Sequence, residues 1–484
     1  MDVVKVREEK EHTLPELANV KKEMVFRVAP FPSGALHLGN AKTFILNALY
    51  AEKYSGKLLL VMDDTIGSAE KPIEEEAYSL IEEAFDWLGI KRDGKIVYKS
   101  DRLKTYYEYA EKLIAKEKAY VCHCKQEILR DNRANGIECS CRQYPAKEQL
   151  KRWKEMFKMK EGSCVLRIKT DMMHPNPAFR DRVLFKISDR EHPRVGNKFR
   201  VWPTLEMSWA VDDHLLKISH VIRGNDLMIE SDMEKYIWDI FGWDYPELIH
   251  TGFLRIEGIK GAKLSKSKSR AEVKSGRFAG WEDPRTLSIQ SLARRGILPE
   301  AIKEFIKEIG LNKQDISVPI DSLYSINRKI IDSSSPRYSF ILNPIELDIK
   351  NAPKAIEIEL PIHPDKEEKR KVRVDKIYIA SNDFKTLKDK DVRLLHLYNI
   401  YLSEKSKFKS IENKDIPKIN WVSDSVDAGI LMPEGEWITG IADADISTLK
   451  KDDMIQFERF GFVRYDGFGK VNGREMHQFW FAHR

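Results

Sequence analysis

Beginning at Val25, short apolar runs alternate with helix-length amphipathic stretches, and this alternation limits the fold more than any other feature of the chain. Val25-Phe26-Arg27-Val28-Ala29 reads as a strand, residues 30–40 as a turn rich in Pro and Gly, and residues 41–54 as a helix. Lys57-Leu-Leu-Leu-Val-Met62 reads as a buried strand, and a second helix is predicted over about residues 72–88. Pro72 suits the first turn of that helix, and Glu74, Glu75 and Glu76 complement its positive end. Ile73, Ala77, Leu80, Ile81, Ala84 and Leu88 form one apolar stripe before Gly89 stops it. Strands separated by helices pair in parallel, and such sheets take ligands outside the carboxyl ends of their strands. An α/β fold is therefore expected, with residues 30–39 and Asp63 at one cleft.

The turn carries chemistry. Pro32-Ser33-Gly34-Ala35-Leu36-His37-Leu38-Gly39-Asn40 leads into a helix N-terminus, where free backbone N–H groups and the positive helix end face a phosphate and Gly39 permits close approach. Far downstream, Lys263-Leu264-Ser265-Lys266-Ser267 belongs to a loop that also holds Lys260, Lys268 and Arg270, and its flexible ammonium groups can close over a triphosphate. Taken singly, the first stretch also fits a strand-to-helix turn with a surface histidine and the second a solvated basic loop. Their order within a large α/β chain favours two halves of one ATP-activating site.

Four of the five cysteines are paired: Cys122-His-Cys124 and Cys139-Ser-Cys141 are separated by fourteen residues, and Cys164 stands apart. Four thiolates joined by a loop of that size can hold a tetrahedral zinc ion, and in a reducing compartment this is favoured over two disulfides. His123 is an alternative ligand, and four unligated surface thiols are the bland reading. At 484 residues the chain is expected to form three or more domains. Lys and Arg number 82 against 76 Asp and Glu, so a polyanion must be bound by local basic faces rather than by overall charge. With no apolar run of membrane-spanning length and a charged N-terminal stretch, a soluble cytoplasmic protein is expected, with no membrane partner.

Together, the His37 turn and the Lys263 loop resemble the HIGH and KMSKS signatures of class I aminoacyl-tRNA synthetases. The surrounding text resembles the glutamyl-tRNA synthetases of the archaeal type. The likeness runs through Arg27-Val-Ala-Pro-Phe-Pro-Ser-Gly34, Asp63-Asp-Thr65, Val201-Trp-Pro-Thr204, Asp212-Asp-His214, His220-Val-Ile-Arg-Gly224, Gly280-Trp-Glu-Asp-Pro-Arg285 and Gln456-Phe-Glu-Arg-Phe-Gly-Phe462. It implies a Rossmann-like catalytic domain in two halves, residues 24–118 and 191–270, after a charged tail at 1–23. An acceptor-binding insertion at 119–190 carries the cysteine module, a helical connector spans 271–340, and β-barrels at 341–484 read the anticodon. The strand-like runs Ile356-Glu-Ile-Glu-Leu360, Val372-Arg-Val-Asp375, Ile377-Tyr-Ile379 and Ile455-Gln-Phe457 agree with barrels there and set the chain apart from bacterial relatives, whose anticodon part is helical.

The resemblance further implies ATP with Mg2+, L-glutamate and tRNA-Glu as ligands, tRNA-Gln as a further candidate, a structural zinc ion and a monomer. His37, Lys263 and Lys266 take catalytic roles, and Ser33, Gly34, Gly39, Asn40 and Ser265 join them around ATP. Arg27 and Arg223 match carboxylates with two parallel hydrogen bonds each, and Asp63 meets the ammonium. Cys122, Cys124, Cys139 and Cys141 hold the metal. Asn40 departs from the second histidine of HIGH, Val61 and Ile66 stand where the family has Arg and Asp, and Leu205 replaces a tyrosine of bacterial relatives. Alternatives are a glutaminyl-tRNA synthetase, whose second signature typically reads Met-Ser-Lys-Arg, a non-catalytic tRNA-binding paralogue, and a small nucleotidyltransferase, which would not need the barrels. Arg373, Arg464 and Tyr465 are candidate anticodon contacts, and residues 280–285 join the insertion as candidates for the acceptor end.

Overall fold

The computed structural model describes residues 13–66, 71–258, 266–353 and 356–484. Two compact units are formed, one by the chain up to Arg255 with Ile306–Ser317, the other by Ile256–Phe305 with Val318–Arg484.

In the first unit the predicted alternation is present. In chain order it comprises β1 (Val25–Val28), α1 (Leu38–Lys53), β2 (Lys57–Met62), α2 (Glu76–Trp87), β3 (Val97–Tyr98) and α3 (Leu103–Ala115). Then come β4 (Ala119–Cys122), α4 (Gln126–Asn135), α5 (Ala146–Met156), β5 (Val165–Ile168), β6 (Val183–Ile187) and β7 (Val201–Pro203). The unit continues with α6 (Leu205–Leu215), β8 (His220–Gly224), α7 (Met228–Phe241) and β9 (Glu247–Thr251). Five of these strands make an all-parallel sheet in the order β3-β2-β1-β8-β9. The chain leaves β1 toward β2 on one side and returns on the other at β8, so strand order reverses between β1 and β8, where an open α/β sheet forms its ligand crevice.

Between the halves of that sheet, β4, β5, β6 and β7 form a separate antiparallel sheet whose fourth strand lies beyond residue 190. Its inner face shares one core with α3, α5, α6 and α7, where Tyr106, Trp153, Phe185, Trp202 and Trp238 are buried together. Helix α2 starts at Glu76, four residues later than the predicted start at about residue 72, because the Glu74 N–H bonds the Pro32 carbonyl (2.9 Å) and ties residues 72–74 to the turn after β1. Val61 and Ile66 are buried, Val61 in the sheet opposite Val97 and Ile66 against Leu103 and its neighbours, so the two departures from the family pattern are apolar core positions here.

The second unit opens with helices. Ser288 caps Ile289–Arg294 by accepting from Ser291 N–H (2.9 Å), Gly296 breaks the helical run with a left-handed φ of 87°, and Pro299–Ile309 and Ile320–Ile331 follow. Beyond them the chain is strands, as the change of periodicity predicts. A seven-stranded sheet has Arg337–Tyr338 at one end and Phe340–Leu342 at the other, separated in the chain by Ser339 alone, so it bends almost into a closed barrel. A five-stranded sheet and two strand pairs enclose a second apolar core around Val392, Ile400 and Ile419. No helix among the described residues is long and apolar enough to cross a membrane.

Candidate functional site

At the switch point lies a cleft of about 260 Å³, lined by Arg27, Gly39, Asn40, Lys42, Asp63, Leu205, Trp209 and Arg223 among others. The three residues assigned from sequence to the amino acid thus converge, each at or near the carboxyl end of its own strand, β1, β2 or β8.

Each of the three already has a buried counter-charge. Arg27 donates Nε and Nη2 to the two carboxylate oxygens of Asp213, the Nη2 bond being 2.9 Å. Arg223 donates Nη1 and Nη2 to Glu234 at 2.9 and 2.8 Å. Asp63 pairs with the Lys99 ammonium at 2.9 Å, and Lys99 also donates to Ser208 at 2.9 Å. All three cations lie over one indole: Lys99 Nζ is 4.8 Å from the Trp209 ring centre, and the Arg27 and Arg223 guanidinium carbons are 5.1 and 5.3 Å from it. Burial opposes the charge of Arg27, but Asp213, Glu234 and Asp63 outweigh it and raise its pKa, whereas burial lifts the Glu234 carboxyl above its ordinary range despite Arg223. Sequence reasoning missed Lys99, Trp209, Asp213 and Glu234. The i, i+4 spacing of Trp209 and Asp213 on α6 was the available signal.

Helix α1 reaches the cleft through Gly39 and Asn40, and His37 is its N-cap, its Nδ1 accepting from the Gly39 N–H at 3.2 Å. Gly39 is needed for a close approach, but to protein: a Cβ there would stand 3.0 Å from the Leu254 carbonyl. Ser33 is buried with its N–H on the Phe31 carbonyl, and Gly34 adopts a φ of 124° that favours glycine. Neither Ser33, Gly34 nor His37 is among the cleft-lining residues. Lys42 was not singled out by sequence. It is buried, donating to Thr251 Oγ1 (2.9 Å) and the Gly252 carbonyl (3.0 Å), and burial lowers its pKa to about 8. Lys260, Lys263 and Ser265 lie outside the described residues, and Lys266 is described only as the first residue of the helix Lys266–Lys274.

The cysteine module converges. The sulfurs of Cys122, Cys124, Cys139 and Cys141 all lie within 4.8 Å of one another, with Sγ–Sγ separations of 3.7, 3.3 and 4.0 Å for three of the pairs. Four sulfurs about 2.3 Å from a central ion would stand about 3.8 Å apart, so the set fits a tetrahedral thiolate site. No disulfide joins them. Exposed His123 lies outside the cluster, and Cys164 contacts Met159 sulfur instead (3.5 Å).

Among the candidate RNA contacts of the second unit, Arg373 is exposed. Tyr465 is not available for stacking on a base: it is buried and its hydroxyl meets His477 Nδ1 at 2.8 Å. Arg464 is held by Asp452 and Asp466, and Arg285 by Asp283 at 2.7 Å.

The fold agrees with what comparison shows. The chain belongs to the class I tRNA synthetases for glutamate and glutamine: the catalytic-domain model of that family matches residues 23–333, and two anticodon-binding-domain models match 335–419 and 406–466. Relatives similar to it within the family include glutamate–tRNA ligases. That of Pyrococcus abyssi is 44% identical over 96% of this chain and 83% of the relative. Those of Methanothermobacter thermautotrophicus and Methanocaldococcus jannaschii are 39% and 40% identical, over 97% and 96% of this chain and 85% and 84% of theirs. A class I synthetase activates its amino acid with ATP.

Proposed function

We propose that this chain is a glutamate–tRNA ligase that joins L-glutamate to tRNA-Glu through a glutamyl-adenylate. The convergence of Arg27, Asp63 and Arg223 on one cleft beside the N-terminus of α1 carries this reading. An α-carboxylate oxygen of glutamate attacks the α-phosphorus of ATP, the bond to the bridging oxygen breaks, and pyrophosphate leaves. The terminal 2′-hydroxyl of tRNA then attacks the adenylate carbonyl, displacing AMP. Arg27 and Arg223 hold the two carboxylates of glutamate and Asp63 its ammonium, so the reacting carboxylate is fixed before ATP closes on it. His37, Gly39 and Asn40 support the phosphates at the start of α1, with Ser33 and Gly34 shaping the turn. Lys263, Ser265 and Lys266 close over the triphosphate, where charge builds on the leaving group.

Magnesium accompanies the triphosphate. Cys122, Cys124, Cys139 and Cys141 hold a zinc ion whose role is to brace the insertion at 119–190, and this insertion meets the acceptor end of the tRNA while the barrels after residue 341 meet the anticodon. The protein acts as a cytoplasmic monomer. Aminoacylation of purified tRNA-Glu and tRNA-Gln with labelled glutamate and glutamine tests the reading: charging of tRNA-Glu with glutamate is expected, tRNA-Gln being a second acceptor to score. Glutamine charged in preference to glutamate overturns it.

A further inference from the structure

Arg27 and Arg223 line the cleft, whereas their partners Asp213 and Glu234 do not. Both carboxylates have fully buried side chains and stand behind the guanidinium groups. A guanidinium has five N–H donors in a fixed plane, which offer two distinct edges able to make a pair of parallel bonds to a carboxylate. One edge joins Nε and one Nη, and the other joins the two Nη atoms.

The internal carboxylates take different edges. Asp213 occupies the Nε–Nη2 edge of Arg27, leaving the terminal edge. Glu234 occupies the terminal edge of Arg223 through Nη1 and Nη2, and Arg223 Nε, although buried, has no hydrogen-bond partner among the described residues. An unsatisfied buried donor costs stability unless something supplies its acceptor, and here the residue that bears it lines the same cleft as Arg27.

We propose that Glu234 is a positioning residue for amino-acid recognition: by holding the terminal nitrogens of Arg223 it turns the Nε edge into the one presented to a carboxylate of the substrate. The helix that carries Glu234, α7, and the strand that carries Arg223, β8, are regular elements eleven residues apart at this contact, so the grip is rigid and does not depend on a loop. Arg223 thereby satisfies two carboxylates at once, one internal and one from the ligand, and its plane is set before the ligand arrives. Preorganisation of this kind appears in the binding of the amino acid rather than in the chemistry of ATP.

This inference rests on the reading of Arg223 as a glutamate contact. The test is ATP–pyrophosphate exchange with tRNA-Glu present, for the wild type, Glu234→Gln and Glu234→Asp, with KM and kcat resolved for glutamate and for ATP separately. Gln keeps the shape but replaces one acceptor by a donor that opposes Nη, and Asp keeps the charge but draws the guanidinium back by one methylene. For Glu234→Gln the glutamate KM is expected to rise about tenfold or more, and for Glu234→Asp about threefold, with the ATP KM within about twofold of wild type. A merely structural role would lower the active fraction and leave the glutamate KM of the folded enzyme unchanged, or move the two KM values together, and either result overturns the proposal. Should Glu234→Gln fail to fold, Glu234→Asp carries the same test. Equal glutamate KM in variant and wild type sinks this inference alone, whereas absence of glutamate-dependent exchange in the wild type sinks the functional reading with it.

Discussion

The cleft and the cysteine module both gather several ionisable side chains into a small volume, but they balance them in opposite ways. Around Trp209, three cations, Arg27, Lys99 and Arg223, are set against three carboxylates, Asp213, Asp63 and Glu234, so the cluster is neutral by itself and can form as the chain folds. The four cysteines bring together groups of one kind with no cation inside the cluster, and burial lifts the Cys122 thiol to about 11. A site that neutralises itself is ready for a substrate. One that collects four like ligands is completed by an ion from outside, because thiolates bind metal only once deprotonated.

The contrast can be broken most forcefully at Arg27. Arg27→Ala leaves Asp213 buried without its partner, which is expected to cost about 3–5 kcal/mol of stability in urea unfolding as well as glutamate binding. Replacing both partners, Arg27→Met with Asp213→Leu, should recover most of the stability but none of the glutamate activation. If the single variant is as stable as wild type, the cluster is not held by its internal pairs.

Next in size is metal removal. Tag-free protein is expected to carry close to one equivalent of zinc by elemental analysis, and chelation should expose four thiols to a thiol reagent while Cys164 stays protected in its buried contact with Met159. Protein that is metal-free yet shows all four cysteines protected would place the module in the same self-sufficient class as the cleft.

A gentler probe is Lys42, a cation in the cleft wall with hydroxyl and carbonyl partners but, among the described residues, no carboxylate at hydrogen-bond distance. Its pKa falls from 10.5 to about 8 through burial. Below the folded value both folded and unfolded chains carry the proton. Between about 8 and 10.5 the folded chain has released a proton that the unfolded chain still holds, so stability rises with pH across that window. Wild type should show this rise relative to Lys42→Met, and parallel pH profiles for the two would show that Lys42 keeps its ordinary pKa. Smallest of all is Tyr465→Phe, which removes a buried hydroxyl from His477 and is expected to cost about 1 kcal/mol in stability with tRNA charging unaltered. A selective rise in the KM for tRNA would return Tyr465 to the RNA surface.

Much of this architecture is legible in one dimension. The strand and helix periods mark the parallel sheet, the strand-like runs from Ile356 on mark the barrels, and the twin Cys-x-Cys pairs mark the cluster. What is not legible is which charged residues turn inward, because a charge is buried only where a partner waits, and the partner can be far along the chain. Arg27 and Asp213 are 186 residues apart, and only its i, i+4 spacing from Trp209 sets Asp213 apart from Asp212, which binds Arg102 and Tyr106 instead. The same holds for Tyr465: alternation shows that it shares a face with Val463, but only the folded sheet shows that this face is the inner one. The late start of α2 has a similar origin, a backbone bond to Pro32 that no local propensity reveals.

The order of strands in the seven-stranded sheet also bears on how this protein is made. Strand Arg474–His483, last to leave the ribosome among the described elements, is inserted between Gly461–Val471 and Ser425–Leu431, and every other strand of the sheet lies to one side or the other of it. Until it arrives, the nascent sheet is two fragments with two raw edges, each a template for unwanted pairing with a neighbouring chain. The first unit, which holds the cleft and is made of earlier segments, is free to fold as synthesis proceeds. Synthesis interrupted before Arg474 therefore leaves a chain whose cleft-bearing segments are all made while its seven-stranded sheet lacks its central strand and keeps both edges open.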